Sequence, residues 1–248
     1  SFLTLISLFF VLKNIIFNEQ KSFNKISKQK NIFDVLSKTN NILLKISSEK
    51  KLFNKICSLI VNEAQLPFGF VCKFDHNSKL DVIFSEGVVK DYLKNKIDLN
   101  NNKETKDVGL ARSAYQKKKN IIVGSLKDND SSILASVSKL YQINSAAAFP
   151  IYKFGEVHAV MVIYSNYMGY FDTEIEILFN NLIHDISHTL EKIDYEKIRL
   201  KQENELRIAS YAFESHEPMI ITNSDVEIIN ANKAFCITSG YTKEELLT

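Results

Sequence analysis

The sequence predicts an α+β protein, an antiparallel sheet flanked by helices on both faces and left by a long C-terminal connecting helix. Three observations predict it. In VHAVMVIYS, Val157 to Ser165, odd and even positions are both mainly apolar, as in a strand covered on both sides. Two pairs of strand-like runs are each joined by a short polar turn, HNSK and KFGE, as hairpins are. No Pro or Gly occurs from Phe171 to Glu217, so nothing there breaks a helix.

The chain has 248 residues, 45% of them hydrophobic and 24% charged, enough for one full domain plus extra elements. Net charge is +2, and Arg occurs only at Arg112, Arg199 and Arg207. No patch interleaves Arg with aromatics, which argues against a nucleic-acid partner. Cys57, Cys72 and Cys236 fit neither a disulfide framework nor a CxxC metal site, and a reducing, cytoplasmic compartment suits them. The chain starts on Ser1 and stops on an unfinished pattern, so it reads as a fragment.

The elements follow in order. SFLTLISLFFVL, residues 1–12, is shorter than the roughly 20 residues that span a bilayer and reads as the end of a transmembrane helix. Lys13, Lys21, Lys25, Lys28 and Lys30 follow it without Arg or Asp, the mark of a cytoplasmic flank. An exposed amphipathic helix or a signal-peptide remnant is the alternative. Residues 13–49 read as a helical linker. Phe33, Leu36, Leu43, Leu44 and Ile46 form one helical stripe; Leu52, Phe53, Ile56, Leu59 and Ile60 form a second after the polar SSEKK. Ser47 or Ser48 is the expected N-cap of the second helix, and Pro67 closes the helical stretch.

FGFVCKFD and LDVIFSEG then read as a hairpin. The middle, Val88 to Leu140, is irregular: a helix from Gly109 to Lys118, the strand NIIVGS, and a further helix through Val137 and Leu140. SAAAFPIY and VHAVMVIYS form the second strand pair. The exit helix starts after Asp172 as N-cap, with Glu174 and Glu176 in the first turn, where the dipole favours acids. Ile175, Leu178, Phe179, Leu182, Ile183 and Ile186 face the core. Ile186, Ile193 and Leu200 repeat every seven residues, with Leu190, Lys197 and Asn204 alongside, as in a polar coiled-coil seam.

LFNKICSLIVNEAQLPFGFVCKFD, GLARSAYQKKKNIIVGS and SAAAFPIYKFGEVHAVMVIYS, followed by FDTEIEILFNNLIHDISHTLEKI, resemble a GAF domain, here residues 50–194. Residues 195–212 read as a signalling helix. AFESHEPMIITNSDVEIINANKAFCITSGYTKEELLT resembles the opening of a PAS domain, residues 213–248, truncated before its remaining strands. Asn230, Asn232, Phe235, Gly240, Tyr241 and Leu246 stand on that family's pattern, and Val226 departs from it where Gly is common. The resemblance implies the input region of a bacterial sensor protein, tethered to the inner membrane and homodimeric through its N- and C-terminal helices. It implies an output in cyclic di-GMP turnover by a diguanylate cyclase or phosphodiesterase; a histidine kinase input and a ligand-free dimerisation scaffold are the alternatives. No GGDEF or EAL run and no nucleotide-binding Gly-rich box occurs in the chain.

His184 and His188 in HDISH share a helix face, as in a zinc protease motif. Asp185 is too short for the general base and a third ligand is wanting, so no metal is assigned and the pair reads as solvent- or partner-facing. SHTLEK lacks the acidic residue after His188 and the Pro of a phosphoacceptor helix. His158 shares its expected face with Val160, Val162 and Tyr164. Cys72 alternates with Phe70 and Phe74 and reads as core. No catalytic set occurs, and the sequence leaves the cofactor unknown. The resemblance implies a pocket between the sheet and the variable middle for an unknown small molecule, with Phe70, Phe84, Phe149, His158 and Tyr164 as candidate lining residues.

Overall fold

The computed structural model describes residues 2–75, 80–88, 108–126 and 141–247. The expected HNSK turn and the helix through Val137 and Leu140 lie outside them. Two compact units divide between Ile193 and Asp194.

In the first unit, helix α1 runs unbroken from Phe2 to Leu43, with no boundary at Lys13. Among the described residues no helix is long and apolar enough to cross a membrane. The face of α1 that meets the core starts one residue earlier than the expected stripe: Ile32, Val35 and Thr39 are buried, whereas Phe33 and Leu44 are exposed. Helix α2, Glu49–Glu63, begins after extended Ser48, whose side chain makes no capping bond. Leu52, Phe53, Ile56, Cys57, Ile60 and Val61 are buried along one side of it, the 3.6-residue period of an amphipathic helix.

The sheet contains β1 (Phe68–Phe74), β2 (Leu80–Gly87), β3 (Ile121–Val123), β4 (Ser145–Lys153) and β5 (Glu156–Ser165). Its order is β2-β1-β5-β4-β3, with every pairing antiparallel. Alternation along the strands divides the core. Val71, Phe149, Ile151, Ala159, Met161 and Ile163 face α1, α2 and the exit helix α4 (Thr173–Phe213). Phe68, Phe70, Cys72, Ala148, Val160, Val162 and Tyr164 face the other side, where Ala111 and Ala114 of α3 (Val108–Lys117) meet them. The sheet is thus covered on both faces. Each large apolar side chain buried in these layers contributes roughly 1.5–3 kcal/mol.

A bulge breaks the alternation where it matters for the site. Ile151 pairs with Ala159 and Tyr152 with Val157, leaving His158 as the extra residue. Strand β3 is equally consequential, since among the described residues it pairs only with Ala146–Ala148 and no other strand pairs with the rest of β4 on that side.

Asp172 caps α4 as expected, its Oδ1 accepting from the Ile175 N–H at 3.0 Å. Ile175, Phe179, Leu182, Ile183, Ile186, Leu190 and Ile193 are buried. Ile186, Leu190 and Ile193 therefore belong to the domain core and not to a coiled-coil seam, because the same seven-residue repeat serves packing on the sheet. Lys28 of α1 lies over the rings of Tyr167 and Tyr170 before α4, a cation–π contact.

The second unit holds the end of α4, the pair β6 (Ile220–Thr222) and β7 (Ile228–Ala231), and two short helices, α5 (Lys233–Ser239) and α6 (Lys243–Leu246). Helix α4 ends at Phe213, four residues before the expected limit at Glu217. Gly240 closes α5 in the left-handed conformation, and Thr242 with Glu245 forms a capping box on α6.

Candidate functional site

The five predicted lining residues do not converge on one cavity, because strand parity sends them to opposite faces. Phe70 and Tyr164 lie on the α3 side, with Phe68 stacked on Tyr164 at 5.6 Å between centroids. Phe149 lies on the α4 side, stacked on Phe179 at 5.0 Å, and Phe84 packs against that same core. Cys72 is buried among apolar groups, and its thiol donates to the Val160 carbonyl at 3.6 Å. Burial pushes that thiol up to about 12, so it carries no thiolate at neutral pH.

His158 does not share the face of Val160, Val162 and Tyr164. The bulge turns it toward the start of α2, where its Nε2 lies 3.1 Å from Glu49 Oε1. Glu49 also pairs with Lys73 of β1 and, at 3.8 Å, with Lys153 of β4. Three strands thus each send one basic group to a single carboxylate in the first turn of α2. The His158 contact foremost, and Lys73 after it, hold the Glu49 carboxyl down to about 2 against the opposing effect of its burial.

A cleft of about 500 Å³ opens where β4 runs past the end of β3. Its floor carries Pro150, Tyr152 and Ile183; its rims carry Lys119 and Asn120 on one side and Asn180, His184, Ser187, His188 and Glu191 of α4 on the other. The exposed strand edge is satisfied from within. Pro150 has no N–H to satisfy. The Tyr152 N–H donates to Ser187 Oγ at 3.0 Å, and the Phe154 N–H donates to Glu191 Oε1 at 2.8 Å. Asn120 ties the rim together, its Nδ2 donating to Glu176 Oε1 and Asn180 Oδ1, each at 2.8 Å. Side chains from α4 therefore occupy the ladder positions a partner strand would need.

His184 and His188 stand over this cleft with ring centroids 4.4 Å apart and planes tilted by 48°. Both are exposed. Among the described residues no three His, Cys, Asp or Glu side chains are grouped to hold a metal ion. The HDISH spacing signals the pair in the sequence, but nothing local signals the cleft beside it.

The comparisons with known proteins agree with this architecture. Residues 47–191 match a family model described as GAF domain, more than half of the chain. The fold is similar to the GAF domain of a phosphoenolpyruvate-protein phosphotransferase from Coxiella burnetii, with TM-score 0.53 and 10% identity over 68% of this chain and 98% of that one. It is similar to a protein described as a GAF sensor from Burkholderia vietnamiensis, with TM-score 0.51 and 13% identity over 68% and 94%. It is also similar to the free methionine-R-sulfoxide reductase of Neisseria meningitidis, solved in complex with its substrate, with TM-score 0.52 and 12% identity over 67% and 91%. At such identities the likeness concerns the fold alone. No curated protein matches the chain. With two-sided cover on the five-stranded antiparallel sheet and the family match across it, the chain belongs to the GAF domain family.

Proposed function

We propose that this chain is the sensory input region of a signal-transduction protein, in which the GAF domain takes a small ligand or dimerises and passes its state along α4 to a PAS-type unit. One observation carries the reading. Helix α4 is a single element of 41 residues whose first half supplies core residues from Ile175 to Ile193. Its second half leaves Tyr195, Ile198, Leu200, Leu206, Ile208 and Tyr211 exposed. A solvated helix does not need that apolar surface, and a second copy of the same helix would cover its Leu200, Ile208 and Tyr211 side.

The proposed output is cyclic di-GMP turnover, supported by the resemblance of the GAF, helix and PAS-like order; a histidine kinase is the alternative. Tethering at the inner membrane rests on the apolar run at residues 1–12 and the lysines after it. A ligand-free dimerisation scaffold has one observation in its favour: the Phe68, Phe70 and Tyr164 rings stack into the α3 face.

Sedimentation of the full chain against the double variant Leu200→Asp, Tyr211→Asp, both on the face of Lys197 and Asn204, tests the helix contact. The expected result is a dimer that becomes a monomer, and a monomer in both cases overturns it. Signalling is tested by fusing the chain to a diguanylate cyclase domain and replacing Lys197 and Asn204 with Leu. A locked output is expected, because the two polar residues keep alternative helix registers close in energy; an unchanged response removes that mechanism.

A further inference from the structure

We propose that His184 and His188 form a two-histidine site for a nitrogen-preferring divalent transition ion such as Zn²⁺, Ni²⁺ or Cu²⁺, opening into the cleft between α4 and β4. The rings lie one helical turn apart with centroids separated by 4.4 Å, so one ion can take a nitrogen lone pair from each. Their exposure leaves the ring nitrogens within reach of solvent.

The surroundings offer polar groups to a hydrated ion: eight of the ten residues lining the cleft carry a polar or charged side chain. Glu191 lies one turn beyond His188 on the same rim. One of its oxygens accepts the Phe154 N–H, and its charge favours a cation in the cleft. Lys119 faces it from the other rim and opposes the cation. No third protein ligand joins the pair among the described residues. Water or a small exogenous ligand in the cleft would complete the coordination sphere, which makes this an open site and not a structural one.

The test titrates the full chain with Zn²⁺, Ni²⁺ and Cu²⁺ separately, following heat for all three and nitrogen hyperfine splitting for Cu²⁺. One equivalent per chain is expected, with coupling to two nitrogens. His184→Ala and His188→Ala should each weaken binding at least tenfold while leaving the circular dichroism unchanged, and His216→Ala should leave binding as it was. Lys119→Ala should tighten it several-fold, because a nearby ammonium repels the ion. Absence of binding, or binding that survives both cleft histidine substitutions, overturns the proposal. So does a cleft that binds inorganic phosphate and loses it in Lys119→Ala, which would mark an anion site.

Discussion

The Nε2 atom of His158 stands 3.1 Å from Oε1 of Glu49, on the face of the sheet opposite to the one simple alternation assigns it. That carboxylate gathers His158, Lys73 and Lys153 at the first turn of α2. Its folded pKa, about 2, lies below the ordinary value of about 4.3. Between those values the unfolded chain binds the extra proton, so the stabilisation is complete above the ordinary value and lost as pH falls toward 2. Glu49→Gln should cost about 1–2 kcal/mol at pH 7, reduced from the full shift because the carboxylate remains partly solvated. Urea unfolding of both proteins at pH 7 and pH 2 checks it. A difference that persists at pH 2 would mean that the loss comes from packing.

Asn232 is fully buried and uses its whole amide. Its Oδ1 accepts from the N–H groups of Phe235 and Met219 at 2.8 and 3.0 Å; its Nδ2 donates to the carbonyls of Phe213 and Glu217, both at 2.7 Å. One side chain thereby caps α5 and joins the end of α4 to the start of β6. Asn232→Ala loses the cap and strands buried polar groups, so about 2–4 kcal/mol of local stability should go. Amide exchange should accelerate across residues 213–236 and remain unchanged in β4 and β5. Equal acceleration in both units would show that they unfold together.

The periodic elements are legible in the sequence because each is a local pattern: Ile175 to Ile186 repeats at helical spacing, and the apolar run in β5 implies cover on two faces. The grouping of the five candidate lining residues is not legible there. Which of Phe70 and Phe149 faces which helix depends on registers between strands distant in sequence, Val71 against Met161 and Phe149 against Met161. Alternation alone puts His158 on the wrong face, because a bulge shifts parity without a Gly or Pro to announce it. The Glu49 cluster draws on three strands, and the cleft exists because β3 stops at three residues. Both are products of topology, with no local sequence sign.

Val226 holds a backbone conformation that favours glycine. Its φ is +69°, in a turn where the Asn223 Oδ1 accepts from the N–H groups of Asp225 and Glu227 at 3.0 Å each. A β-branched residue at positive φ is strained by roughly 1–2 kcal/mol. The side chain is 79% exposed, so little packing offsets that strain. Val226→Gly should stabilise the second unit by about 0.5–1 kcal/mol after the added chain entropy of Gly. Slower amide exchange in β6 and β7 is the expected readout, and faster exchange would show that Val226 packs in a way its exposure does not suggest.

Gly87 closes β2 against the start of β1, at φ +104°, paired with Phe68. An added β-carbon would lie 2.2 Å from the Pro67 carbonyl oxygen and 2.8 Å from the Phe68 Cα. Both are backbone atoms, so no rotamer change relieves the clash. The Pro67 oxygen also accepts the Val88 N–H at 3.0 Å, and moving it would break that bond. Gly155 offers the matched comparison, with φ +80° but open space where a β-carbon would stand. Gly155→Ala therefore carries only the backbone penalty, about 1–2 kcal/mol, whereas Gly87→Ala adds the clash and should cost at least about 3 kcal/mol. Urea midpoints of the two variants decide the matter. Equal losses would mean that the β1–β2 end yields freely, and that the junction after α2 is not a rigid seat for the hairpin.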